Sequence, residues 1–210
     1  MLLRHALTPP PATLPRTVRA DAVGGDVAFA TLHAAGHLVP LAPDVAVLPG
    51  ADVTRADRLV ALAPRVPPRT VVGRLSAVWV LTGHGDPRTL TVLYSPTAHR
   101  PASSANLRTH QATLADDDVE GLAHLLVTTA LRTAVDVARH VPGAQAVPAL
   151  EHLVRRAGLD PDALAARLEA IGPNPLEAAS AAAVAGLAAR LAGPPGATTA
   201  LSPCAPPATP

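Results

Sequence analysis

The chain has 210 residues, a length that fits one or two small domains, and 49% of them are apolar, which excludes a chain disordered throughout. The formal net charge is +1, so it carries no global electrostatic footprint for nucleic acid or a membrane surface. A single cysteine, Cys204, excludes a disulfide framework within the chain and a cysteine metal cluster.

Aromatic residues number three, Phe29, Trp79 and Tyr94, so the core has to be built from Ala, Val and Leu. All 17 basic residues are arginine. Alanine and proline are inflated in the same way, which points to codon bias rather than to guanidinium chemistry. The apolar stretch Met1–Leu7 stops before Pro9. It is too short for a signal sequence or a membrane span, and the expected compartment is the cytoplasm.

Residues 8–16, TPPPATLPR, hold too many prolines for helix or sheet, and residues 1–20 are expected to lie outside the folded core. A short apolar helix follows at 26–35, DVAFATLHAA, with Gly36 placed as its C-cap. HLVPLAPDVAVLPG (37–50) reads as a β-hairpin turning at Pro43-Asp44, with Val39 and Leu41 on one arm and Val45 and Val47 on the other. Thr54 caps a helix that runs to about Ala63 and ends at Pro64.

TVVGRLSAVWVLTG (70–83) is apolar on nearly all sides. Its reading is a helix from Arg74 closed by Gly83, with a strand as the alternative at this length. Strands are expected at 89–95, 106–114 and 124–129. The acidic run Asp116, Asp117, Asp118 and Glu120 between the last two reads as a solvated turn, since consecutive carboxylates do not converge on a cation without a loop built for it.

From Ala130 the period becomes helical. In 131–141, Leu131, Val135 and Ala138 share one face, and Arg132 and Asp136 the other. Thr128 and Thr129 precede this helix as cap residues, and Arg132 with Asp136 forms an i, i+4 pair. Further helices are expected at 144–157, 160–171 and 175–192, with Gly158 and Gly172 as stop signals and Asp160-Pro161 as a cap followed by an N1 proline. Residues 193–210 are proline-rich, with nothing that could bury a core.

Candidate chemistry is sparse. His33 and His37 stand at the i, i+4 spacing of zinc-binding helices, but no Glu follows His33 and Gly36 ends the helix between them. Ser76 lies in GRLSAVW, which is not a nucleophile elbow, and no glycine-rich phosphate loop exists. Neither a metal, a cofactor nor a catalytic residue is expected.

These stretches, in this order, resemble the AbiEi-type antitoxin family of type IV toxin–antitoxin systems. The resemblance is carried by LHAAGHLVPLAPDVAVLPG (32–50), RADRLVALAPRVPPRTVVGRLSAVWVLTG (55–83), LRTHQATLADDDVEGLAHLLVTTALRTAVDVAR (107–139) and AVPALEHLVRRAGLDPDALAARL (146–168). Ser76, Ala77, Val78, Trp79 and Gly83 match one family segment; Thr128, Arg132, Thr133, Asp136 and Ala138 match another.

The resemblance implies a regulator with no catalytic residue and no cofactor. An N-terminal winged helix would bind operator DNA, and its protein partner would be a nucleotidyltransferase-like toxin. Longer relatives continue into a very-short-patch-repair-like endonuclease domain, which is not expected here. Residues placed to touch DNA are Arg16, Arg19, His33 and His37. The helix before the hairpin carries no Arg or Lys, so weak and salt-sensitive DNA contact is expected at most.

The expected architecture is α+β. A partial winged-helix-like unit (21–68) precedes a domain (69–192) made of a small three-stranded sheet and a C-terminal helical bundle. Tails at 1–20 and 193–210 flank the two. The alternatives are a diverged remnant of a regulator–endonuclease family without the nuclease, or an unrecognised enzyme.

Overall fold

The computed structural model describes residues 17–172 and 185–187. Most of residues 1–20, 175–192 and 193–210 therefore lie outside the described residues. The fold is α+β, with two sheets, six α-helices between Asp26 and Ile171, and helical residues at 185–187. No described helix is long and apolar enough to cross a membrane.

The chain enters with strand β1 (Thr17–Arg19), a 3-10 turn (Ala20–Val23) and helix α1 (Asp26–Ala34). The folded part thus reaches back at least to Thr17 rather than starting at Asp21. A three-residue strand directly behind a proline run leaves no period to read. Helix α1 ends one residue earlier than expected, at a C-cap on Ala35. Gly36 follows with φ 75°, and the amide of His37 donates to the carbonyl of Leu32 at 2.9 Å, which is the hydrogen bond of a Schellman turn.

Strands β2 (Val39–Ala42) and β3 (Val45–Val47) form the expected hairpin, with an irregularity between Pro40 and Ala42. β3 lies between β1 and β2, and both pairings are antiparallel.

Helix α2 (Arg55–Leu62) starts at Thr54 as expected. The Thr54 hydroxyl accepts from the Asp57 amide at 3.2 Å, and Asp57 accepts from the Thr54 amide at 2.9 Å, a reciprocal capping box. Next come β4 (Val71–Val72) and α3 (Arg74–Thr82), closed by Gly83 with φ 78°. The helix from Arg74 closed by Gly83 is as expected, and the alternative strand is confined to the two residues before Gly73.

The second sheet has five strands rather than three. β5 (Leu90–Tyr94), β6 (Leu107–Gln111) and β8 (Leu125–Thr128) were expected; β4 and β7 (Val119–Leu122) were not. The order is β6-β5-β4-β8-β7, parallel for β5/β6 and β4/β8 and antiparallel for β4/β5 and β7/β8. β7 and β8 are joined by the two-residue turn Ala123-His124, both at positive φ, as a type I′ hairpin turn requires. Helices α4 (Ala130–His140), α5 (Gly143–Ala157) and α6 (Pro161–Ile171) complete the described chain. Asp160 caps α6 by accepting from the Asp162 amide at 2.9 Å, ahead of Pro161 at N1.

Two hydrophobic clusters meet at α3. Ala77, Trp79 and Val80 join Ala42, Val45, Leu59, Leu62, Val72, Leu90 and Val127 on the sheet side. Val78 and Leu81 join the cluster built from α4, α5 and α6, including Val137, Leu150, Leu153 and Leu164. The sheet-side cluster takes residues from both sides of position 68, so a shared core spans the boundary expected there. α3 is apolar all round because it packs on both sides.

The approach of α3 to the sheet is fixed by Gly73. A Cβ on this residue would lie 2.7 Å from Cγ and 2.8 Å from Cδ1 of Leu93, a buried β5 side chain. Gly73→Ala should therefore destabilise by about 1–3 kcal/mol, the range for overpacking, and this cost should vanish in a Leu93→Ala background. Trp79 is the only tryptophan and is 4% exposed, so its emission should be blue-shifted and report the unfolding directly. An equal cost of Gly73→Ala in both backgrounds would contradict the steric account.

Candidate functional site

The residues named from sequence fall into three places. Ser76 sits in the first turns of α3 and is buried. Its hydroxyl accepts from the Thr91 amide at 2.8 Å and lies 3.3 Å from the Thr89 carbonyl as a donor. β4 is only two residues long and leaves the β5 backbone short of partners, so Ser76 supplies one. Gly73 supplies another: its amide donates to the Thr91 carbonyl at 3.1 Å. Trp79 lies in the sheet-side core, and Gly83 closes α3.

Thr128, Arg132, Thr133 and Asp136 form the second place, where β8 passes into α4. The Thr128 and Thr133 hydroxyls are 2.6 Å apart, and Thr133 donates to the Thr128 carbonyl at 3.1 Å; both residues are fully buried. Thr129 is the N-cap of α4, its hydroxyl 3.4 Å from the Arg132 amide.

Arg132 then reaches three acceptors. Its Nε donates to Asp136 at 3.1 Å, and one terminal nitrogen donates to Asp118 at 2.7 Å and to the Thr113 carbonyl at 3.1 Å. The Arg132 side chain is 17% exposed, and both carboxylates are more buried still. The face of α4 carrying Arg132 and Asp136 is covered like the apolar one, since Thr133 to Ala138 are all buried. One expectation is corrected here. The acidic run is not wholly solvated: Asp116 and Asp117 are exposed, whereas Asp118 turns inward to Arg132 and accepts from the Ala115 amide at 3.1 Å.

Burial works against the Arg132 charge, but the hydrogen bonds and charges of Asp136 and Asp118 outweigh it and raise its pKa. Both carboxylates accept from Arg132 through Oδ2. Beside the cluster opens a groove of about 570 Å³, lined in part by Thr113, Arg139, His140 and Arg167.

Arg74 was not singled out from sequence. It begins α3 at φ 51°, outside the usual range for a side-chain-bearing residue, and its Nε is enclosed without a hydrogen-bond partner among the described residues. Burial lowers its pKa, and Asp136 partly offsets this. Burial, then Arg74, also lowers His110 on β6 and His140 on α4, so both imidazoles are held toward the neutral form. The remaining missed signal is Arg58, whose Nε donates to the Val80 carbonyl at 2.8 Å near the end of α3.

The third place is the N-terminal unit. Arg19 ends β1, 3.8 Å from Asp21. His33 and His37 are both exposed, separated by the Gly36 turn. Arg16 lies outside the described residues. Among the described residues no group of three or more His, Cys, Asp or Glu gathers as a metal site would require.

Comparison with known proteins adds little to this geometry. No protein-family model matches the chain. No curated protein matches it. Among solved structures it is similar to the RV2827C protein from Mycobacterium tuberculosis, at 18% identity over 83% of this chain and 76% of that one, with a TM-score of 0.37. Agreement at that level is too loose to bear on function.

The Arg132 cluster makes a direct prediction. Arg132→Ala takes the shared guanidinium from two buried carboxylates and should cost about 3 kcal/mol, the lower end for a broken buried ion pair. Arg132→Lys keeps the charge but cannot reach Asp118 and Asp136 together, so it should recover less than half of that loss. Urea unfolding with an unchanged m-value measures both. A loss below about 0.5 kcal/mol for the alanine variant would instead match an exposed surface pair.

Proposed function

We propose that this chain is an antitoxin-like regulatory protein that acts in the cytoplasm by binding a protein partner, with DNA contact weak and secondary. The reading starts from the sequence resemblance to the AbiEi-type antitoxins. The topology of the N-terminal unit supports it: a helix leads into a hairpin whose second strand pairs with a strand ahead of the helix, giving the order β1-β3-β2. A winged helix places its wing in this way after the recognition helix.

The character of α1 carries the choice of partner. None of its residues is buried, Val27 is 83% exposed, and it bears neither Arg nor Lys. Phosphate contacts dominate DNA affinity, and such a helix offers no Arg or Lys to make them. Asp26 at its start further opposes a phosphate. Exposed apolar side chains instead suit a protein surface. Val39 and Leu48, each close to half exposed around the hairpin, extend the same apolar character. In this reading the partner is a nucleotidyltransferase-like toxin, no cofactor is used, and the chain itself performs no reaction.

Two titrations test the reading. A nucleotidyltransferase-like product of the neighbouring reading frame should bind, and Val27→Glu should weaken binding at least tenfold without changing the unfolding midpoint. Binding to the upstream DNA of the gene should be weak, lost on raising the salt, and equal for a scrambled duplex. Tight sequence-selective DNA binding that depends on residues 26–50 would overturn the assignment of α1 to a protein partner.

A further inference from the structure

His84 and His152 stack face to face, with ring centroids 4.0 Å apart and planes inclined by 13°. His84 follows the Gly83 cap of α3, and His152 lies on α5. The pair closes one end of the α3–α5 seam, whose apolar part is Val78 and Leu81 against Ala149, Leu150 and Leu153. His84 also lines a surface cavity of about 520 Å³, so solvent protons reach the stack.

The protonation state follows from the surroundings. His152 Nδ1 is enclosed and has no hydrogen-bond partner among the described residues. A neutral imidazole can leave that nitrogen as a bare acceptor, with its proton on Nε2. An imidazolium cannot: both nitrogens then carry hydrogen, and the enclosed N–H would lack an acceptor. The charge would also sit against a second imidazole face.

The neighbouring charges are mostly of the same sign. α5 supplies Arg155 and Arg156, the latter 3.5 Å from the Thr82 carbonyl. α2 brings Arg58 to the Gly83 cap. The opposing charges are engaged elsewhere: Glu151 pairs with Arg155 at 2.8 Å, and Asp86 pairs with Arg88 at 2.8 Å.

We propose that the His84–His152 stack is an acid-sensitive latch, which closes the α3–α5 seam while His152 is neutral and releases it when His152 takes up a proton. Burial, then His84 and Arg156, lowers the pKa of His152 in the closed state, with Glu151 in partial opposition. The opened state binds more protons, so the latch is at full strength above about 6.5, the ordinary histidine value, and weakens as pH falls toward the closed-state value.

Amide hydrogen exchange of Gly143–Ala157 in the full chain, corrected for intrinsic rates, tests this between pH 8 and 5. Wild-type protection should fall by up to about tenfold per pH unit below about 6.5, for one proton taken up on opening. His152→Phe keeps a flat ring in the stack and cannot titrate, so its α5 protection should stay level over that range. A level wild-type profile, or an equal fall in His152→Phe, would overturn the latch; an equal fall would place the acid response on His110 and His140. An NMR titration of His152 in the wild type decides independently of any variant: a midpoint below about 6.5 supports the latch, and one at or above it overturns it.

Discussion

The fold depends on one helix having no polar face. α3 is buried from Ser76 to Thr82, and its two sides belong to different hydrophobic clusters. Such a helix can exist in water only if something covers it all round, so the sheet with α2 and the bundle of α4, α5 and α6 have to meet across it. The chain does this with few aromatics. Ala, Val and Leu let α3 approach both layers closely, and Gly73 admits the helix start against Leu93. Several polar groups inside this sandwich find specific partners. Ser76 serves the β5 backbone, the Thr82 hydroxyl donates to the Val78 carbonyl at 2.7 Å, and Arg58 serves Val80.

The Arg132 cluster obeys the same accounting with charges. A guanidinium taken out of water loses hydration that one carboxylate seldom restores. Here two carboxylates and a backbone carbonyl receive it, and Arg74 adds a second positive charge near Asp136. Two cations facing two anions keep the junction near neutrality, and the cost of burial is shared over several hydrogen bonds. The arrangement ties the 113–118 loop to α4, and it does so by direction as well as energy. Few other side-chain geometries satisfy Asp118, Asp136 and Thr113 together, so the cluster fixes how the loop joins the helix.

Legibility in the sequence followed from how local each signal was. The Thr54 box, the Asp160-Pro161 cap, the glycines at 36, 83 and 158, and the β2–β3 hairpin all speak within four or five residues, and each was readable. β7 was not readable, because its turn uses Ala123 and His124 at positive φ where the sequence signal would be Asn-Gly. β4 was hidden because two residues carry no alternation, and its strand character depends on β5 and β8 arriving on either side. The Thr128–Asp136 segment was recognised as a unit, yet Arg132 was paired with Asp136 alone. The missing piece was Asp118, 14 residues upstream and in a run that looks like a solvated turn. Long-range pairing of that kind leaves no periodic trace.

The N-terminal unit obeys a different rule from the rest. A nine-residue helix is marginal by itself in water, since nucleation costs more than two turns of hydrogen bonds return. Among the described residues α1 has no side-chain N-cap and no fully buried residue; it is held by the half-buried face of Ala28, Phe29 and Leu32, the Gly36 turn and the Thr31 hydroxyl bonded to the Val27 carbonyl at 2.8 Å. Elsewhere in the chain, helices gain their stability from a buried face. A helix whose face is only half covered inside its own fold gains from a surface that covers the rest, and any ligand that binds only the ordered form stabilises it by mass action. On the reading proposed above, a partner that covers Val27 would stabilise α1 as it binds, and the apolar exposure of Val27 would then serve binding rather than mark a defect in packing.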